Sequence, residues 1–148
     1  MNHINILFRF DIMLYLSFFK NKKKNQKSKE GIKPINEMPD YVVNLDEKSF
    51  NDFIKKYPLS VIDFWASWCN PCKSMAPRLR RLSKLYSGKV VFGKIDIEKD
   101  KNISKQYKIM GIPHLIFFKY GKKISSINGL KSVGYIKKVI EDLLSKEY

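Results

Sequence analysis

The sequence predicts an α/β fold, a mixed central β-sheet with helices on both faces, in a single domain preceded by an N-terminal extension. Three observations lead there. Apolar runs of strand length alternate with segments whose apolar residues recur at helical spacing, in the order βαβαβαββα. Leu59 to Trp65 and Lys89 to Ile97 are nearly continuous apolar runs, as in strands buried on both faces. The chain has 148 residues, 44% of them apolar, enough for one core.

The elements follow in order from Asp40. Tyr41-Val42-Val43-Asn44-Leu45 reads as a short strand. Asp46 or Ser49 caps a helix with Phe50, Phe53 and Ile54 on one face, ending before Pro58. The strand Leu59–Trp65 runs into a turn over Ser67–Pro71. A helix then extends from about Cys69 to Tyr86, with Met75, Leu79, Leu82 and Leu85 at helical spacing and a kink at Pro77. Strand Lys89–Ile97 leads to a short helix, Ile103–Tyr107. His114–Lys119 and Lys123–Asn128 form a hairpin around Tyr120-Gly121. Ser132 caps the last helix, with Val133, Ile136, Val139, Ile140, Leu143 and Leu144 inward. These elements define a domain over residues 41–148, and no internal repeat is visible.

Residues 1–40 have a different character. The apolar segment 4–19 is interrupted by Arg9 and Asp11, and its longest clean run, Ile12 to Phe19, has eight residues. A membrane-spanning helix needs about 20. A basic start and a small-residue cleavage site, the marks of a signal peptide, are both missing. Residues 20–39 form a lysine-rich linker ending near Pro34 and Pro39. Insertion of the apolar segment would keep this basic flank, and the domain behind it, in the cytoplasm. A weak membrane association of residues 1–33 through anionic lipid is the second option. An untidy extension, with translation from Met13 or Met38, is the plain one. The expected location is the cytoplasm, with or without a tether to the membrane's cytoplasmic face.

The formal net charge is +15. Such an excess steers acidic partners, nucleic acid or anionic lipid toward a protein. No arginine-rich stripe or aromatic–basic interleaving stands out, so the lysines read as a solvated surface and no specific nucleic-acid partner is expected.

Cys69 and Cys72 are the two cysteines of the chain. A disulfide scaffold needs several, spread widely, and a loop this small adds little stability as a staple. A cysteine pair at this spacing, after a buried strand and at the first turn of a helix, reads instead as a redox motif. The free N–H groups and positive dipole end of the helix favour a thiolate at Cys69, which makes it the nucleophile and the more exposed sulfur. Pro71 fits the first turn, where its missing N–H costs nothing. Cys72, one turn in, is the more buried, resolving thiol. The rival is a structural zinc site, but the available ligands, Cys69, Cys72, His3 and His114, are poorly placed to make one, and no metal is expected.

The segment Val61-Ile62-Asp63-Phe64-Trp65-Ala66-Ser67-Trp68-Cys69-Asn70-Pro71-Cys72-Lys73, with Pro77 beyond it, resembles the active-site strand, loop and kinked helix of the thioredoxin family. Gly111-Ile112-Pro113 before an apolar strand resembles that family's cis-proline loop, and Gly129 a glycine of its substrate groove. The likeness covers residues 41–148. It implies the thioredoxin fold and reduction of protein disulfides by reversible exchange at Cys69/Cys72, with that redox-active disulfide in place of any cofactor. Asp63 corresponds to a buried carboxylate that takes the proton of the resolving thiol, its pKa raised by burial. Lys94 corresponds to a lysine that modulates it. Trp68, Asn70, Pro71, Ile97, Ile112, cis-Pro113 and Gly129 would frame the substrate surface. A reductase of thioredoxin-reductase type would supply electrons, disulfide-bearing proteins would be the clients, and the chain would act as a monomer.

Asn70 stands where the family commonly has glycine, and His114 where threonine is common. Changes between the cysteines shift the reduction potential, so a disulfide isomerase or oxidase stays open as an alternative, as does a membrane-tethered relative. His114 either adds positive potential near the sulfurs or points away into the sheet, and the second is favoured. Trp65 reads as core. A peptide-binding module without turnover would need neither thiol nor the aspartate, which favours the enzyme.

Overall fold

A computed structural model describes residues 38–146, so the expectations for segment 4–19, and for the linker up to residue 37, concern positions outside that range. The described elements are β1 (Val42–Leu45), α1 (Glu47–Lys56), β2 (Leu59–Trp65), α2 (Asn70–Leu85), β3 (Val91–Asp96), α3 (Lys101–Gln106), β4 (His114–Lys119), β5 (Lys122–Asn128) and α4 (Val133–Ser145). The order is the one expected, with strand and helix ends moved by one or two residues.

The sheet runs β1-β3-β2-β4-β5. β1, β3 and β2 are mutually parallel, whereas β4 pairs antiparallel with both β2 and β5. The crossovers through α1 and α2 place helices on the two faces, so the central strands are covered on both sides.

Strand alternation divides the core in two. Leu59 and Val61 of β2, Phe92 of β3, and Leu115 and Phe117 of β4 pack with Met75, Leu79 and Leu82 of α2 and Ile136, Ile140 and Leu143 of α4. The opposite face sets Ile62 and Phe64, Ile95, and Ile116 and Phe118 against Phe50, Phe53 and Ile54 of α1 and Ile103 of α3. Residues 59 and 61 point to the α2/α4 face, so the next in phase, Asp63, points there too. Ser60 shares the α1/α3 face, fully buried, its Oγ without a hydrogen-bond partner among the described residues.

The caps follow from short polar side chains. Asp46 is the N-cap of α1 and accepts from Ser49 N–H at 2.8 Å, while Ser49 Oγ accepts from Asp46 N–H at 3.0 Å, so both candidate caps are used. Glu47 accepts from the Asn102 backbone and carboxamide, both at 2.9 Å, and Asp100 accepts from Glu47 N–H at 3.0 Å. These bonds tie the start of α3 to α1. The hairpin turns on Tyr120 and Gly121, both at positive φ (46° and 82°), the turn that matches strand twist and suits glycine at its second position.

Two inward assignments need correction. Leu85 and Leu144 are exposed. The buried stripe of α2 steps Met75, Leu79, Leu82 and then Tyr86, which caps the helix and takes the inward place three-residue spacing had given Leu85. In α4 the stripe passes through Ile136, Ile140 and Leu143, which leaves Leu144 on its flank. Tyr41 is likewise exposed and precedes β1.

Candidate active site

β2 ends at Trp65, and the chain then turns over Ala66–Trp68 into α2. The Cys69 N–H donates to the Ala66 carbonyl at 3.2 Å, which sets Cys69 as the N-cap of α2 with an extended backbone. Pro71 sits in the first turn, where no N–H is required. Cys69 and Cys72 form a disulfide, with Cα atoms 5.3 Å apart.

Exposure does not separate the two cysteines, which are 4% and 2% exposed. Backbone geometry does. The Cys72 N–H donates to Cys69 Sγ at 3.2 Å. A cap position normally filled by an oxygen is thus held by sulfur, and an anionic sulfur there would gain both this bond and the helix dipole.

The cysteines and Ala66 form a small buried cluster against which Trp65, Ile97 and Ile112 pack. Ile97 follows β3 and donates its N–H to the Trp65 carbonyl at 3.0 Å. Ile112 precedes Pro113 through a cis peptide bond, and the Pro113 carbonyl accepts from Gly129 N–H at 2.8 Å. A Cβ built at Gly129 would meet nothing within 4 Å, so the backbone there faces open space, and its φ of 78° suits glycine. Trp68 is 63% exposed at the tip of the turn, and Asn70 is exposed beside it. Ile97 and Ile112 thus pack against the sulfurs, Pro113 and Gly129 adjoin Ile112 through the chain and the 2.8 Å bond, and Trp68 is an exposed rim.

Asp63 lies on β2, three residues before Ala66 of this cluster. It is 3% exposed, and burial raises its pKa to about 7, against which the charge of Lys94 acts to lower it. Its Oδ1 has no hydrogen-bond partner among the described residues. Lys94 is its cross-strand neighbour on β3, but the ammonium lies over the Trp65 ring, 4.7 Å from its centroid. Trp65, read from sequence as core, therefore has two site contacts, one with the cysteine cluster and one with this lysine. A tryptophan at the strand end next to a redox motif is the signal that could have found it.

His114 begins β4 opposite Phe64 and Asn128. Its ring meets Phe64 edge-on at 6.5 Å, on the α1/α3 face and away from Asp63, as the favoured reading has it. Burial lowers its pKa, a side-chain bond to Asn128 raises it, and Nδ1 has no hydrogen-bond partner among the described residues. Among the described residues, no group of three or more metal-ligating side chains converges, and His3 lies outside the described residues.

The chain matches the Thioredoxin family model over residues 41–142. It belongs to the thioredoxin family. It is 34% identical to a thioredoxin of Buchnera aphidicola (from Acyrthosiphon pisum) over 102 residues, 68% of this chain and 94% of that one. A thioredoxin of Staphylococcus saprophyticus is 34% identical over 100 residues, 68% of this chain and 95% of that one. The M-type chloroplast thioredoxin of spinach is 37% identical over 105 residues, 70% of this chain, which spans 58% of the spinach protein. Among solved structures, an N21Q mutant thioredoxin of Halobacterium salinarum superposes with a TM-score of 0.70 over 75% of this chain and 97% of that one; at 23% identity it supports the fold. A chain from a study of thiol resolution in yeast mitochondrial 1-Cys peroxiredoxin via glutathione/thioredoxin systems is 32% identical, with a TM-score of 0.63 over 68% of this chain and 94% of that one.

The mixed five-stranded sheet with helices on both faces is the thioredoxin fold, and this thioredoxin-family chain is a thiol–disulfide oxidoreductase. Thioredoxins work through a redox-active disulfide, and the family points to reductase partners and disulfide clients in general. No helix among the described residues is long and apolar enough to cross a membrane.

Proposed function

We propose that Cys69 is the nucleophile, Cys72 the resolving thiol, and that the pair runs in the reducing direction on protein disulfides. The observation that carries this is the bond from Cys72 N–H to Cys69 Sγ, which favours negative charge on that sulfur over the other. The Cys69 thiolate attacks one sulfur of a client disulfide, forming a mixed disulfide and expelling the other client sulfur as a thiolate that takes up a proton. Cys72, giving its proton to the Asp63 carboxylate directly or through water, attacks Cys69 Sγ, closes the internal disulfide and releases the second client thiol. The client gains two electrons and two protons, and a reductase restores the dithiol.

Asp63, raised by burial to a pKa of about 7, is matched to moving a proton at neutral pH, and the field of Lys94 holds that value down. Trp68, Asn70, Pro71, Ile97, Ile112, Pro113 and Gly129 form the client surface, where an extended segment pairs with the Ile112 backbone. The catalytic domain begins at residue 41, a boundary supported by the family match. A chain with two cysteines, used as reagents, suits a reducing compartment such as the cytoplasm, where it acts as a monomer.

The test is a pair of variants. Cys69→Ser abolishes reduction of an oxidised protein substrate, whereas Cys72→Ser attacks and stalls as a mixed disulfide recoverable with thiol. Identical behaviour of the two variants would sink the assignment.

A further inference from the structure

The 32 residues from Phe64 to Ile95 contain no carboxylate and seven cationic side chains. Most of them lie on α2, the helix capped by Cys69. Lys73, Pro77, Arg80 and Lys84 are exposed and follow four-three-four spacing, which lines them up along one side of the helix, with Arg81 beside them. From Lys73 to Lys84 the stripe covers about 16 Å at the helical rise per residue. All three arginines of the described residues, Arg78, Arg80 and Arg81, belong to this helix. The stripe is hard to see in sequence because the charges are interleaved with the buried residues Met75, Leu79 and Leu82.

Among the described residues, the side-chain cations of Lys73, Arg80, Arg81 and Lys84 make no ion pair or hydrogen bond. Arg78, turned toward α4, donates to the Lys131 carbonyl. Glu141 of α4 does reach this helix, but its carboxylate accepts from the Tyr86 hydroxyl at 2.6 Å. Arg80 and Lys84 are a like-charge pair one turn apart, and Lys73 stands near the positive end of the helix dipole, so both features cost the helix, although Lys84 in the last turn gains from the dipole.

We propose that this basic side of α2 docks the acidic surface of the disulfide-bearing client protein that Cys69–Cys72 reduces. Charge complementarity and continuity with the disulfide favour that occupant. A partner that engages the stripe is already aligned along the helix whose first turn holds the sulfurs. The stripe carries no exposed aromatic on which single-stranded nucleic acid could stack. Such a surface acts mainly on the rate of encounter, and its effect fades as salt screens it. The proposal rests on Cys69–Cys72 being the exchange site.

The experiment compares kcat/KM for two disulfide-bonded peptides identical around the disulfide, one flanked by glutamates and one by lysines, across ionic strength. The neutral small molecule 2-hydroxyethyl disulfide is the reference. The wild-type chain prefers the glutamate peptide by roughly tenfold at low salt, and the gap closes at high salt. The triple variant Arg80→Gln/Arg81→Gln/Lys84→Gln loses the preference with an unchanged rate on 2-hydroxyethyl disulfide. A control of equal net charge, Lys55→Gln/Lys56→Gln/Lys122→Gln, at the far end of β2, retains it. Equal loss in both triples would assign the effect to net charge and overturn the docking surface. So would absence of any preference, or a stripe that binds a DNA oligonucleotide and leaves the peptides indistinguishable. A wild-type chain inert toward 2-hydroxyethyl disulfide would overturn the exchange reading and docking with it; activity without charge preference overturns docking alone.

Discussion

Asp63 and Lys94 face each other across the β2–β3 ladder, yet the lysine's ammonium rests over the Trp65 ring while Asp63 Oδ1 has no hydrogen-bond partner among the described residues. The pair is coupled through space, with the carboxyl held between desolvation, which raises its pKa, and the lysine's charge, which lowers it. Desolvation is the larger effect.

Removing the lysine is expected to shift the balance further. In Lys94→Gln the Asp63 pKa moves above its present value of about 7, and the pH profile for resolution of the mixed disulfide moves up with it. Lys94→Arg restores the profile. An unmoved profile in Lys94→Gln would remove the lysine from the proton step.

Asp63 also works against stability. An acid with a raised folded-state pKa binds its proton more tightly when folded, so stability falls as pH rises from about 4 to about 7 and levels above. Asp63→Asn is therefore expected to be more stable than wild type by a few kcal/mol at pH 8, with the gain shrinking toward pH 4. Its turnover should be slower. Urea unfolding across pH checks the first part, and a gain independent of pH would count against it.

His114 has the opposite sign. Its folded-state pKa is depressed, so the stability it contributes is present above its unfolded value near 6.5 and is lost as pH falls through the lower folded value. Lys123, from β5, adds to the depression, and the Asn128 bond opposes it. His114→Leu is expected to flatten the loss of stability below about pH 6.5, measured as Tm against pH.

Ser60 Oγ is buried on the α1/α3 face without a hydrogen-bond partner among the described residues. Ser60→Ala removes an unsatisfied hydroxyl and leaves only a small void, so it is expected to be neutral or stabilising by up to about 1 kcal/mol. Denaturant midpoints decide it, and a loss of more than about 1 kcal/mol would show that the hydroxyl has a partner.

The strands and helices were legible because each carries a clear period. β2 reads as doubly buried, and the caps Asp46 and Ser132 are used as expected, Ser132 accepting from Tyr135 N–H at 3.1 Å. Leu85 was misread because positions 85 and 86 both satisfy helical spacing after Leu82, and packing against the sheet selected Tyr86. At the site, the cysteine pair and Ile97 and Ile112, which pack against it, were named by the sequence motifs. Those motifs did not reveal the placement of Lys94 over Trp65, which depends on how a long side chain bends across two strands. Nor did they reveal the basic stripe of α2, which appears only once the helix is wound.

The two sulfurs belong to neither of the large cores; with Ala66 they form a cluster of their own at the end of β2. The redox centre is thus a terminal contact on a rigid handle. Ile97 and Ile112 pack against both this cluster and the α1/α3 core, so opening or closing the disulfide is felt by the body of the fold through those two side chains.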